Sequence, residues 1–254
     1  EDTPLFHLHT SAEAPIQFSS ILYCPSTNYE TYGFKKLEHG VHLYSNKILI
    51  QSDCKLLLPE YLRFIHGVVD SSDIPLNISR ETFQDNRIIH KMKSVLVKQV
   101  LTLLQDMAKN EKEKYETFWR QFGRILKEGV HFDFENKDTL AQLMRFNSSM
   151  CKSPDELLSL KEYIDRMKPD QKEIYYITAV NRETMEKSPY LEIFRKKDIE
   201  VLYLTDPNDE FLLSGLHEFE KKPIRSADQA NLDLLKDSDK KIVDTTEEPQ
   251  NYEE

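Results

Sequence analysis

Hydrophobic positions alternate near the start of the chain, recur every three or four residues through its middle, and gather in short apolar runs further on. Leu5–Thr10 and Ile16–Tyr23 alternate with period two, bounded by Pro4, Pro15 and Pro25, and predict two strands. In the first, Leu5, His7 and His9 share one face while Phe6, Leu8 and Thr10 share the other. Val41–Tyr44 and Lys47–Ile50 predict a hairpin across Ser45-Asn46, and Ser26–Gly40, with no clean period, reads as a loop or insertion. Pro59 suits a first helical position, so a short helix is expected through Ile65, with Gly67 ending it and Tyr61, Leu62, Phe64 and Ile65 as its buried stripe. Val68–Asp70 then reads as a short strand.

A helical spacing follows. Ile88, Met92, Val95, Leu96, Val100, Leu103 and Leu104 predict a long helix over Arg87–Ala108, with Lys91, Lys93 and Lys98 on its solvated side. A second helix, Glu111–Lys127, carries the aromatic stripe Tyr115, Phe118, Trp119 and Phe122 and is expected to close at Gly129. Lys137–Arg145 makes a third. Ser153-Pro154-Asp155-Glu156 has the spacing of a capping box, and Ser159 with Glu162 repeats it. Glu173–Thr178 and Glu200–Leu204 predict strands, separated by helical stretches Asn181–Lys187 and Pro189–Lys197, which implies a right-handed crossover with parallel strands. Asp206-Pro207-Asn208-Asp209 opens a last helix with Phe211, Leu212, Leu213 and Leu216. The expected organisation is an α/β (α+β) chain. A larger α/β module spans 1–109, a three-helix coil 110–152, a smaller α/β module 153–236, and an acidic linker 237–254.

Composition narrows the function. A net charge of −10 over 254 residues argues against general affinity for nucleic acid or an anionic membrane surface. No apolar run approaches the roughly 18 residues that span a bilayer. Glu1–His7 has no signal-peptide character, and the missing initiator Met suggests a fragment or a processed chain. Cys24, Cys54 and Cys151 are odd in number and far apart, which suits a reducing compartment. His7 and His9 could reach one metal ion, but two ligands fall short of the usual three or four, so no metal site is expected. With six glycines and no G-x-G-x-x-G or G-K-[ST], neither common Gly-rich phosphate cradle is present.

The stretch Val68–Gln84 (V-V-D-S-S-D-I-P-L-N-I-S-R-E-T-F-Q) breaks a local rule. Ser79 is a plausible helix N-cap, which sets Arg80 in the first turn, where the helix dipole disfavours a cation by about 0.3–1 kcal/mol. Glu81 offsets part of that. Such a placement marks either a working residue or a solvated arginine beside an acid.

This stretch closely resembles the middle segment of the ninety-kilodalton heat-shock chaperones, of the bacterial HtpG type or its mitochondrial relative. Similar blocks occur in the right order at Leu58–Asp70, Lys172–Ala179, Lys187–Tyr190 and Glu200–Glu210. Ser26–Gly40 and the acidic tail match poorly, and Thr82-Phe83 is a mild departure. The resemblance implies the same layered modules and helical coil. It implies that ATP and Mg2+ bind a separate N-terminal domain, while Arg80 reaches the γ-phosphate, Gln84 assists at the phosphate or water, and Asn77 shapes the loop. It also implies unfolded or partly folded client proteins, with Glu210, Phe211 and Trp119 as candidate contacts. A C-terminal dimerisation domain is implied as well, so the intact protein would be a homodimer and the fragment a monomer without activity of its own. A bacterial cytoplasm, or a mitochondrial matrix, is the compartment implied. The competing reading is a protein-interaction scaffold indifferent to nucleotide.

Overall fold

A computed structural model of the chain describes residues 3–14, 16–32, 40–75 and 87–230. The chain forms two compact units, Glu1–Leu143 and Met144–Glu254.

The first unit is built on a five-stranded mixed sheet. Its strands are β1 (Phe6–Ala12), β2 (Phe18–Cys24), β3 (Gly40–Ser45), β4 (Ile48–Gln51) and β5 (His66–Asp70), in the spatial order β1-β2-β5-β3-β4. Only the β3–β5 pair is parallel. Alternation sorts β2 as expected: Phe18, Leu22 and Cys24 point into the core, Ile21 and Tyr23 away from it. The inner face is covered by α1 (Arg87–Asn110) and α2 (Lys112–Phe132), with α3 (Lys137–Leu143) packed on both helices. Aromatic rings join the layers. Phe118 of α2 stands 5.9 Å from Phe6 of β1 and 5.4 Å from Phe64, and Phe122 lies 5.1 Å from Phe64. Centroid spacings in this range suit edge and offset ring contacts.

Several boundaries differ from expectation for tertiary reasons. The helix expected from Pro59 to Ile65 is a single 3-10 turn, Glu60–Leu62. Arg63, 4% exposed, is drawn into an ion-pair cluster instead: Nη1 and Nη2 donate to the Glu128 carboxylate at 2.7 and 3.0 Å, and Nε donates to Glu30 at 3.1 Å. Gly67 is no helix terminator. It lies inside β5 at φ 141°, and a Cβ there would meet the Ile21 carbonyl oxygen at 2.1 Å. Helix α2 runs past Gly129, which is a packing position facing Tyr61, and ends where the Asp133 N–H reaches the Gly129 carbonyl. The β3–β4 hairpin turns on Asn46-Lys47, both at positive φ, one residue later than expected.

The second unit holds another five-stranded sheet. Its strands are β6 (Asn147–Ser148), β7 (Ile174–Thr178), β8 (Leu202–Leu204), β9 (Glu218–Phe219) and β10 (Lys222–Ser226), ordered β6-β8-β7-β10-β9. The helices are α4 (Leu160–Arg166), α5 (Arg182–Glu186), α6 (Glu192–Lys196) and α7 (Asn208–Gly215). β7 and β8 are parallel, as the spacing between them predicts. Ser159 and Glu162 form a true capping box at α4. Ser153–Glu156 does not open a helix. The Glu156 carboxylate caps the Lys152 N–H instead, and the Asn147 amide donates to the carbonyls of Ser153 and Glu156, holding a turn. The β9–β10 pair has no counterpart among the expected strands, because Lys222, Pro223 and Arg225 mask its pattern.

Glu200 is buried behind β8. Its Oε1 accepts from Ser148 Oγ at 2.5 Å and lies 3.4 Å from Arg166, while Oε2 has no hydrogen-bond partner among the described residues. Burial raises its pKa, and the Ser148 and Arg166 contacts only partly oppose that.

Two outcomes follow for stability. Arg63→Met strands two acids and should cost about 3–5 kcal/mol, read as a lower urea midpoint of the sole tryptophan, Trp119, in the first unit. Because the folded-state pKa of Glu200 is raised, the second unit should lose stability as pH rises from the unfolded carboxylate value through the folded one. Glu200→Gln should abolish that slope, measured as amide exchange at Tyr175 and Val201 across pH 4–8; an unchanged slope would locate it in other groups.

Candidate functional site

The segment singled out by the sequence leaves the centre of the first sheet. β5 lies between β2 and β3, and its last residue, Asp70, accepts the Lys47 N–H of the hairpin turn at 3.1 Å. The next residues are tied down one after another. The Ser71 N–H donates to the Tyr44 carbonyl at 3.1 Å and its hydroxyl donates to the Gln17 carbonyl at 2.7 Å. Asp73 accepts from the Gln17 N–H at 2.8 Å, while its own N–H donates to Ser71 Oγ at 3.3 Å. Ser45 Oγ donates to the Ile74 carbonyl at 2.6 Å, and the Ile74 side chain is buried. Side-chain hydroxyls and a carboxylate thus satisfy backbone groups where the ladder ends. On the far side, the described chain resumes at Arg87 in α1.

Asn77, Arg80 and Gln84, together with the proposed cap at Ser79, lie outside the described residues. On the N-terminal side the described chain is held at Ser71–Ile74, and on the other side it continues from Arg87 in α1. Among the described residues no group of three His, Cys, Asp or Glu side chains could hold a metal ion. His7 and His9 share the exposed face of β1, as the alternation predicts. All three cysteines are free and buried, and burial pushes the Cys24 and Cys54 thiols above their usual range. No helix of the described residues is long and apolar enough to cross a membrane.

The candidate client contacts divide. Phe211 on α7 is 58% exposed. Its neighbour Asp209 is turned inward at the helix start, where it accepts the Asp206 N–H at 3.0 Å, so its carboxylate is not presented beside Phe211. The Glu210 side chain lies outside the described set. Trp119 is 8% exposed, stacked between the Lys127 ammonium at 5.8 Å from its ring and Gly123, so little of the ring is available to a ligand. Two other exposed aromatic residues, Phe132 and Phe134, escaped the sequence reading because α2 was expected to end before them.

Comparison with known proteins agrees with this architecture. The family model described as Hsp90 protein matches residues 1–254. The chaperone protein HtpG of Coxiella burnetii is 45% identical over 233 residues, covering 92% of this chain and 37% of that protein. The mitochondrial TNF receptor-associated protein 1 homolog of Dictyostelium discoideum is 45% identical over 244 residues, 94% of this chain and 34% of its own length. The solved middle domain of a Plasmodium falciparum heat shock protein superposes with a TM-score of 0.78 at 30% identity, covering 89% of this chain and 88% of that one. The chain therefore spans little more than a third of the length of these curated relatives, and it belongs to the Hsp90 chaperone family as a middle domain.

Proposed function

We propose that this middle domain completes the ATPase site of an ATP-driven chaperone and offers a surface to unfolded client proteins. The observation that carries the first part is the pinned root of the segment holding N-I-S-R-E. Phosphoryl transfer from ATP is governed by positioning and by stabilising negative charge spread over the phosphate oxygens. A planar guanidinium, always protonated, suits that task better than an ammonium. Arg80 is assigned to the γ-phosphate, Gln84 to the phosphate or attacking water, and Asn77 to the shape of the loop. With no Gly-rich cradle in the sequence and no metal-ligand cluster among the described residues, nucleotide and Mg2+ are assigned to an N-terminal domain of the intact protein. A C-terminal domain is assigned its dimerisation. The intact homodimer is placed in a reducing compartment, the bacterial cytoplasm or the mitochondrial matrix, consistent with three unpaired thiols. Client contact is assigned to Phe211 with Glu210, and not to Trp119, whose ring is buried.

The test of Arg80 is a reconstitution. The chain alone should show no ATP turnover, and addition of the cognate N-terminal domain should give measurable hydrolysis. Arg80→Ala should lower that rate by about tenfold to a hundredfold, less than in systems where chemistry alone is limiting, because closure shares control. Arg80→Lys should recover only part of it, and neither change should shift the melting temperature. Equal turnover by wild type and Arg80→Ala would refute that role for Arg80, and full client binding without any response to nucleotide would favour a scaffold. For the client surface, Phe211→Ser should weaken binding of a reduced, unfolded polypeptide by about tenfold, the scale of one buried aromatic side chain, measured by titration with amide exchange at Tyr175 and Val201 as a check on folding of the second unit.

A further inference from the structure

We propose that the open edge of the first sheet is a docking site for extended polypeptide segments, which join it by adding a strand beside β1. The site lies on the first unit and uses neither the residues assigned to ATP nor Phe211 and Glu210 of the second unit. Strand β1 is hydrogen-bonded to β2 on one side and has no strand on the other. Among the described residues, no hydrogen bond reaches a backbone group of Phe6–Ala12 from anything but β2. Every second residue of an antiparallel strand turns its N–H and C=O away from its partner, so β1 presents a row of donors and acceptors at strand spacing.

The other sheet edges among the described residues are blunted. β4 has 4 residues and a register shift against β3, and β6 and β9 have 2 residues each. Short strands and bulges are ordinary means of keeping an edge from pairing with another chain, as are prolines and charged side chains. β1 has none of these. Its 7 residues pair with β2 in one unbroken register, from Phe6 opposite Cys24 to Ala12 opposite Phe18, with no proline, lysine, arginine or carboxylate among them.

Backbone complementarity, and not charge, selects the occupant. A helix satisfies its own N–H and C=O groups internally, whereas an extended chain offers unpaired groups at the repeat that β1 presents. The side chains of an added strand would alternate as those of β1 do. One set would lie beside Leu8 and Ala12, half-buried on the face that α1 and α2 cover, and would extend that cover. The other set would lie beside His7, His9 and Ser11, all exposed and polar. The matching segment is therefore extended, free of proline, and alternates apolar with polar residues. Because main-chain bonds supply the affinity, many sequences satisfy the edge, which suits polypeptides that have not folded.

The experiment titrates the 254-residue chain with a fluorescein-labelled peptide, as long as β1 and alternating threonine with leucine, by fluorescence anisotropy. Amide exchange along β1 is followed by NMR in the same mixtures. Binding should be saturable, and alternate amides within Phe6–Ala12 should gain about tenfold protection or more, while those between them, already bonded to β2, stay as they were. N-methylation of every peptide residue removes its N–H donors and keeps its side chains, and should weaken binding by at least about tenfold, the scale of a few lost backbone hydrogen bonds. N-methylation of one alternate set leaves one pairing edge, so at least one of the two half-methylated peptides should bind within about threefold of the parent. Sedimentation velocity of the chain alone should show a monomer. Absence of saturable binding, binding that leaves the β1 amides unprotected, or undiminished affinity of the fully methylated peptide would overturn the proposal. So would a dimer of the chain that protects the same amides and resists the peptide, which would assign the edge to a second copy.

Discussion

A guanidinium buried between two carboxylates is the constraint from which the first unit takes its arrangement. Arg63 joins the turn containing Glu30, the 3-10 turn through the Glu60 carbonyl, and α2 through Glu128. Burial opposes its charge, yet the hydrogen bonds it donates to Glu128 and Glu30 outweigh that and hold its pKa above the ordinary arginine value. A planar fork reaching both acids in one geometry leaves little freedom for the chain on either side. Three residues later β5 begins, in the middle of the sheet. The start of that strand is therefore fixed by an ion-pair cluster as well as by the strand's own alternation.

From β5 the consequence passes to the segment that carries Arg80. The hydroxyls of Ser45 and Ser71 and the carboxylate of Asp73 hold the exit from the sheet to β2 and β3. A group that works by positioning can be placed no better than the backbone that carries it. Gly67 belongs to the same chain of dependence, because only a residue without a Cβ lets β5 approach β2 at Ile21.

The second unit shows the opposite outcome for a buried charge. Glu200 has one serine hydroxyl and a more distant arginine, and one of its oxygens has no partner among the described residues, so burial prevails and its pKa is raised. Arg63 and Glu200 are equally buried, at 4% exposure each, and differ in how completely their hydrogen-bonding capacity is met. The aromatic residues make a similar contrast. Trp119 is enclosed by α2's own packing, whereas Phe132, Phe134 and Phe211 remain uncovered. Residue type alone does not separate those cases; the neighbours do.

The sequence by itself determined what depends on local spacing. Period two gave β1 and β2, a short apolar and aromatic run gave β7, period three to four gave α1 and the aromatic stripe of α2, and the Ser159–Glu162 box placed the start of α4, because each rests on interactions within a few residues. The block order and N-I-S-R-E pointed to the family in the same way. Tertiary structure decided what depends on distant partners. Pro59 did not open a helix because Arg63 is held by acids far away in sequence, and Gly129 did not end one because its bare Cα packs on Tyr61. Ser153–Glu156 became a turn because Asn147 claimed its carbonyls, and β10 formed against β7 despite its charge and its proline. The candidate site divides along the same line. Arg80 is conspicuous in sequence by its chemistry, whereas its root at Ser71–Ile74 is made by Gln17 and Ser45, contacts between segments that no local pattern brings together.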